Sequence, residues 1–75
     1  MPPHDRVLAS LGLNVRKIRE ASHLTQEKLA ERSELDPTYI SGIERGIRNP
    51  GIKNVARIAK ALGIKTSKLV EGVEA

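Results

Sequence analysis

Residues 24–44, with the sequence LTQEKLAERSELDPTYISGIE, contain two short helical patterns separated by a break. Thr25 has the side chain of an N-cap for the first of them. The break comes at SEL, residues 33–35, after which Asp36 suits the N-cap of a second helix. Pro37 then suits the first helical position, where a missing N–H costs nothing. The stretch therefore predicts two short helices joined by a tight turn.

Apolar residues recur at helical spacing in the rest of the chain, and no window alternates in the way of a strand. The markers are Leu8, Leu11, Val15 and Ile18 for a first helix over about 6–21; Leu29 and Ala30 for the second; Ile40 and Ile43 for the third; Ile52, Val55, Ile58, Ala59 and Leu62 for a fourth, closed by Gly63; and Thr66 as the cap of a short fifth over 65–72. Gly46, Pro50 and Gly51 indicate a loop before the fourth helix. We therefore expect an all-α fold, a compact five-helix bundle forming one domain over residues 1–75, with a short N-terminal tail at 1–5.

The composition limits how this domain is stabilised and what it binds. Among 75 residues there is no cysteine, so disulfides and thiolate zinc sites are excluded and the core must consist of packed aliphatic side chains. The formal net charge of +4 and the pI of about 9.9 favour a polyanionic partner. No apolar run approaches the roughly 20 residues that span a bilayer. The start, MPPHDR, lacks the features of an export signal, so we expect a cytoplasmic protein.

Motifs for catalysis or metal binding are missing from the sequence. His4 and His23 are isolated, and no paired carboxylates, nucleophile elbow or phosphate-binding glycine loop is present. We therefore expect no enzyme activity, no cofactor, no metal site and no small-molecule ligand, and 75 residues leave no room for a separate sensor domain. Binders of single-stranded nucleic acid use several aromatic rings. Tyr39 is the only one here, so double-stranded DNA is the favoured partner.

The third helix predicts a slim polar face. On a helical wheel the side opposite the buried one carries Thr38, Ser41, Gly42 and Arg45, and it has no acidic residue. Such a face suits entry into a groove, because a solvated helix face normally carries Glu and Lys. Small residues on a short exposed helix are the alternative interpretation.

Acidic and basic residues are segregated along the chain. Seven basic residues and no acidic residue lie between Arg45 and Lys68, whereas Glu27, Glu31 and Glu34 lie together on the second helix. Segregation of this kind favours a one-sided positive field, which a DNA backbone attracts. The alternative is a solvated basic segment without a partner.

Taken in order, these pieces resemble the xenobiotic-response-element family of helix-turn-helix regulators, which includes the phage repressor and Cro proteins. LTQEKLA matches the scaffold helix, YISGIERG the recognition helix, and NP…IAKALGI the fourth helix, so that the resemblance covers nearly the whole chain. TYISGIER…RN is especially similar to the small controller proteins of restriction–modification systems. The resemblance implies a lambda-repressor-like DNA-binding domain with the helix-turn-helix unit at about 25–45, usually a homodimer on a palindromic site.

The resemblance also implies roles for individual residues. The DNA-binding candidates are Gln26, Thr38, Tyr39, Ser41, Gly42, Arg45, Arg48, Asn49 and Lys53. Thr38 and Ser41 match positions that meet base edges, and Arg48 matches a DNA-contacting arginine just beyond the helix. Gln26 matches a residue that binds phosphate or buttresses the reading helix. Tyr39 matches a phosphate contact, with a purely structural role as the alternative.

Further positions match the family in architecture or depart from it. Arg19 and Glu44 match a partly buried ion pair between the first and the recognition helix. The dimer-interface candidates are Ile64, Leu69, Val70 and Val73, which equally suit the core of the monomer. Backbone amides over 46–53 are expected to bind phosphate near Gly51. Pro37 stands where relatives often carry a polar base-reading residue, so contacts to thymine methyl groups and DNA deformability are expected to contribute more to specificity.

The sequence thus predicts a sequence-specific double-stranded DNA-binding transcriptional regulator of a prokaryote or phage, cytoplasmic and nucleoid-associated, acting as a dimer on a palindromic operator. A restriction–modification controller, a phage-type repressor and an antitoxin that regulates its own operon remain alternatives within this class. A protein-interaction module of the coactivator type is the alternative from another class. That module predicts an exposed apolar patch and DNA binding that ignores sequence.

Overall fold

The computed structural model describes residues 5–75, and this part of the chain is helical throughout, without a strand. The helices are α1 Arg6–Ala21, α2 Gln26–Ser33, α3 Pro37–Glu44, α4 Ile52–Ala61 and α5 Thr66–Leu69. The predicted all-α fold with five helices is therefore confirmed. Of the predicted tail at 1–5, only Asp5 is described, and its carboxylate caps α1 by accepting a hydrogen bond from the N–H of Leu8 at 2.9 Å. His4 lies outside the described residues.

Local capping explains where α2 and α3 begin, whereas α5 begins without a side-chain cap. Thr25 and Asp36 each accept a hydrogen bond from a backbone N–H of the following turn, at 3.0 and 2.7 Å. Pro37 follows Asp36 at the first helical position, as predicted. The prediction that Thr66 caps α5 is wrong, because Thr66 is the first residue of the helix and Lys65 holds the cap position without a side-chain hydrogen bond.

The turn between α2 and α3 depends on one residue with a left-handed backbone. Glu34 has φ of +58°, and the N–H of Leu35 then donates back to the carbonyl of Ala30 at 2.9 Å. This hydrogen bond satisfies a carbonyl at the end of α2 and reverses the chain direction. The break predicted at residues 33–35 therefore corresponds to a helix C-terminal motif that positions α3 against α2.

The core is a single aliphatic cluster to which every helix contributes. Its members are Leu11, Val15, Leu29, Ala30, Ile40, Ile43, Val55, Ile58, Ala59, Leu62 and Leu69. Three predicted core positions differ: Ile52, at the first position of α4, is 71% exposed, and Leu8 and Ile18 are only half-buried. Among the described residues, no helix has the length and apolar character to cross a membrane.

Close packing between α1 and α3 fixes the position of α3 against α1. Gly12 is buried, and a Cβ atom added there would collide with the backbone carbonyl oxygens of Ile43 and Glu44. A glycine is required because the backbones of the two helices approach so closely at this point. The C-terminal end of α3 is therefore held directly against α1.

Candidate nucleic-acid interface

Most of the DNA-binding candidates on α3 and the following loop line one shallow groove. This surface, called the α3 groove below, is formed by Asp36, Thr38, Tyr39, Gly42, Arg45, Ile47 and Arg48 and has a volume of about 230 Å³. Thr38, Arg45 and Arg48 are exposed there. Their hydroxyl and guanidinium groups offer hydrogen-bond donors to base edges or phosphates.

Tyr39 is the half-buried element of this groove. Its ring packs against the core, and its hydroxyl accepts a hydrogen bond from Asn54 Nδ2 of α4 at 3.3 Å. The guanidinium carbon of Arg48 lies 5.1 Å from the ring centroid, within the range of a cation–π contact. The ring therefore connects the core, α4 and the loop that follows α3.

Gly42, predicted to keep the outer face of α3 slim, lines the α3 groove. Gly42 is buried, and a Cβ atom added there would collide with Cγ of Arg48. The side chain of Arg48 therefore covers the place where most residues would project a side chain from α3. Gly42 therefore makes room for the stem of Arg48 within the α3 groove.

Gln26, Arg19 and Glu44 form a buried polar network behind the recognition helix. Arg19 donates to the two carboxylate oxygens of Glu44 at 2.6 and 2.9 Å, and Gln26 Nε2 donates to Oε1 of Glu44 at 3.0 Å. Arg19 also donates to the carbonyl of Leu24 at 2.7 Å. Only 3% of the Glu44 side chain and 11% of the Arg19 side chain are exposed. Of the two roles expected for Gln26, this contact supports the buttressing one.

The hydrogen bond to Glu44 raises the pKa of Arg19 above its usual, already high value. Burial lowers the pKa of this group, but the carboxylate of Glu44 more than offsets that effect. Arg19 is thus a permanent cation, and its charge is neutralised by the residue that ends α3. The predicted ion pair is present and joins α1 to the recognition helix.

Ser41, Asn49 and Lys53, which are further DNA-binding candidates, are not among the residues that line the α3 groove. Ser41 is half-buried on α3, Asn49 is exposed in the loop, and Lys53 is exposed in the first turn of α4. Gly51 caps α4 with its backbone and has no side chain to occupy the helix N-terminus. The start of α4 therefore presents backbone N–H groups and a lysine near the loop that carries Arg48.

Basic residues of the segment at 45–68 line two different hollows. A second hollow, about 450 Å³ in volume, is lined by Arg32, Ser33, Glu34, Arg57, Lys60 and Ala61. Arg57 and Lys60 lie in this α2–α4 hollow, whereas Arg45 and Arg48 lie in the α3 groove. Four of the seven basic residues in this segment therefore line one hollow or the other.

Two residues of the site were not identified from the sequence. Ile47 lines the α3 groove with 54% of its surface exposed, and its N–H donates to the carbonyl of Gly42 at 3.0 Å. Asn54 holds the hydroxyl of Tyr39 from α4. Neither residue has a sequence signal of its own, since an isolated loop isoleucine and a helical asparagine are common in any domain.

The dimer-interface candidates divide between the core and the surface. Leu69 is 0% exposed and belongs to the core, which is the alternative that the sequence left open for it. Ile64 and Val73 are half-buried and pack against the core. Val70 is 37% exposed, so it offers more apolar surface than the other three.

Comparisons with known proteins agree with this architecture. A family model described as helix-turn-helix matches residues 15–69. Control protein C.BamHI of Bacillus amyloliquefaciens is 48% identical over 61 residues, which are 80% of this chain and 75% of that protein. The immunity repressor protein of Bacillus phage phi105 is 38% identical over 61 residues, which are 81% of this chain but only 42% of the repressor.

A solved relative shows the same fold on DNA. The restriction–modification controller protein C.Esp1396I, solved as a tetramer in complex with its natural 35 base-pair operator, superposes with a TM-score of 0.83 at 40% identity. The alignment covers 92% of this chain and 91% of that chain. The resemblance to phage repressors and controller proteins is confirmed, and the chain belongs to the helix-turn-helix family.

Proposed function

We propose that this protein is a sequence-specific, double-stranded DNA-binding transcriptional regulator that acts as a homodimer on a palindromic operator. The observation that carries the proposal is the α3 groove, which brings Thr38 of α3 together with Arg45 and Arg48, the two arginines that follow this helix. By the family resemblance, α3 is the helix that reads DNA. The relatives described above have the names of control proteins and a repressor, so we expect binding and not catalysis.

The dimensions and chemistry of α3 suit the major groove. An α-helix with its side chains is about 10–12 Å in diameter, and the major groove is about 12 Å wide and admits an α-helix. In this pose the hydroxyls of Thr38 and Ser41 face base edges, and the guanidinium of Arg45 or Arg48 reaches guanine acceptors or phosphate. The side chains of Thr38 and Ser41 are short, so direct readout of bases depends strongly on the two arginines.

Contacts with phosphate provide affinity and register. Lys53 and Asn49 are exposed beside the start of α4, where backbone N–H groups and the helix dipole favour an anion. Gln26 contributes indirectly, because its amide is bonded to Glu44 and positions α3. These contacts carry no base preference, and they make the affinity fall as salt rises.

Ile47 supplies apolar surface within an otherwise polar groove. Its side chain is 54% exposed and lines the groove together with Arg45 and Arg48. A thymine methyl group is the apolar feature that the major groove offers to such a side chain. We therefore assign Ile47 to thymine recognition, in place of the long polar reader that Pro37 cannot supply.

The dimer and the biological role follow from the relatives. Val70, with Ile64 and Val73 beside it, is the proposed apolar contact between two copies. Similarity to C.BamHI and C.Esp1396I favours a controller of restriction–modification genes in the cytoplasm. A phage-type repressor is the second candidate, favoured by the identity with the phi105 repressor.

The test is a selection of bound duplexes from a randomised pool at about 0.15 M salt, followed by a comparison of two charge-matched variants. We expect a palindromic motif with half-sites about one helical turn apart. Arg48→Ala should weaken or relax binding to that motif more than Arg57→Ala, because Arg57 lies in the α2–α4 hollow. Binding without enrichment of any sequence would refute the regulator and favour the protein-interaction module.

A further inference from the structure

The side chain of Arg48 is held by α3 along its whole length. Its Cγ occupies the space that a Cβ atom on Gly42 would fill, and its guanidinium carbon lies 5.1 Å from the centroid of the Tyr39 ring. Positions 39 and 42 are three residues apart and therefore neighbours on one face of the helix. The aliphatic stem thus crosses α3 where no side chain blocks it, and the charged end lies near an aromatic ring.

The ring that receives Arg48 is itself fixed. Tyr39 packs against the core on one side, and its hydroxyl accepts a hydrogen bond from Asn54 of α4 at 3.3 Å. A ring fixed by the core and by a second helix is a defined platform. Arg48, on a loop, therefore has the position of its guanidinium set by two helices.

The backbone of the loop is attached to α3 at the same place. The N–H of Ile47 donates to the carbonyl of Gly42 at 3.0 Å. Gly42 therefore contacts the loop twice, because the stem of Arg48 also lies against its Cα atom, where a side chain would otherwise project. Gly46 turns the chain with φ of +75°, and a Cβ there would lie 3.0 Å from Cα of Ala9. The loop is therefore closed tightly onto α3 and α1 directly before Arg48.

We propose that Tyr39, Gly42 and Asn54 are positioning residues for Arg48. They aim its guanidinium before DNA binds and thereby set the base preference at the operator position that Arg48 faces. A fixed arginine loses less rotamer freedom on binding, and its planar donors are already oriented. The inference rests on the proposed function and assigns Tyr39 a role through Arg48 in place of a direct phosphate contact.

The first experiment measures the free protein by NMR, without DNA. Protons held over an aromatic face shift upfield, so the δ protons of Arg48 should be shifted in the wild type and in the control variant Arg57→Ala. The shift should disappear in Tyr39→Leu and shrink in Gly42→Ala, where the new Cβ displaces the stem. Arg48 protons at ordinary positions in the wild type would overturn the proposal whatever the protein does with DNA.

The second experiment measures affinities for the selected operator and its single-base variants. Arg48→Ala should lose about tenfold or more of the discrimination at one base pair. Tyr39→Leu and Gly42→Ala should lose discrimination at that same base pair and have no further effect when combined with Arg48→Ala. Asn54→Ala should show a smaller loss at the same position. Tyr39→Phe keeps the ring and loses only the hydroxyl contact with Asn54, so it should show the same small loss as Asn54→Ala. If Tyr39→Leu melts below the assay temperature, Gly42→Ala is the test variant.

Two results distinguish failure of this inference from failure of the proposed function. If Tyr39→Leu weakens binding to all operator variants equally, and does so in the Arg48→Ala background as well, then Tyr39 contacts phosphate itself and the positioning role is refuted. If the wild type selects no operator, the proposed function fails. The NMR measurement then still decides whether Tyr39 and Gly42 hold Arg48.

Discussion

Replacing Glu44 by alanine is expected to destabilise the domain severely, although the change is one residue from the DNA-binding surface. The carboxylate of Glu44 accepts hydrogen bonds from Nε and Nη2 of Arg19 and from Nε2 of Gln26. Without it, Arg19 keeps only the carbonyl of Leu24 among these partners. The substitution therefore leaves a nearly buried positive charge without its counter-ion.

The magnitude follows from the burial of both partners. Breaking a buried ion pair by removing one partner costs about 3–5 kcal/mol, whereas an exposed pair contributes about 0–1 kcal/mol. The Arg19 and Glu44 side chains are 11% and 3% exposed, so the larger figure applies. For a domain of this size a loss of about 3 kcal/mol lowers the melting temperature by roughly 12 °C or more.

The assay is urea and thermal unfolding followed by circular dichroism at 222 nm, because the chain has no tryptophan. Glu20→Ala is the matched control, since the Arg16–Glu20 pair spans 3.4 Å with side chains 60% and 53% exposed. It should change stability by no more than about 0.5 kcal/mol. If Glu44→Ala is no more destabilising than Glu20→Ala, the reasoning from buried charge is refuted.

The pH dependence of this pair has a defined sign. The pKa of Arg19 is raised in the folded state, so the stability that it contributes is complete below the unfolded pKa and is lost only as pH rises through the folded pKa. Both values lie far above neutrality. The difference in stability between the wild type and Glu44→Ala should therefore stay constant from about pH 7 to pH 9.

Three further predictions concern the DNA surface, the core and the dimer surface. Ile47→Ala should weaken binding to the selected operator several-fold, and replacing the contacted thymine by deoxyuridine should abolish that difference; an equal loss on both DNAs, measured by competition, would refute methyl recognition. Leu69→Ala should cost about 2–5 kcal/mol in unfolding free energy as a core truncation. Val70→Ala should instead raise the dimer dissociation constant measured by sedimentation, with little change in the unfolding free energy of the monomer.

The helices were predictable from the sequence where local chemistry determines them. Asp36 and Pro37 specify the start of α3 through a cap and a fixed backbone angle, so the predicted start agrees with the structure. The predicted cap at Thr66 was wrong, because α5 has only four residues and begins without any side-chain hydrogen bond. Its position depends on packing of Leu69 into the core, which no local pattern encodes.

The candidate site was predictable in its residue types but not in its contacts. Wheel geometry placed Thr38 and Arg45 on the exposed side of α3, where they lie. The same geometry placed Gly42 on the outer face but could not show that the side chain of Arg48 lies against it, because a wheel contains only one helix and Arg48 belongs to the next loop. Asn54 was missed for the same reason, since its contact with Tyr39 joins residues 15 positions apart on different helices.

The short recognition helix explains why buried polar groups lie at its end. Eight residues are too few for a helix that is stable by itself, since isolated helices shorter than about 12–15 residues are marginal in water. The C-terminal end of α3 is therefore fixed by Glu44 and by the close approach at Gly12. Stability and base reading are coupled at this end, because any movement of Glu44 also moves Arg45 and the loop. The phosphate contacts proposed for Lys53 belong to α4, so loosening α3 should reduce specificity before it reduces overall affinity.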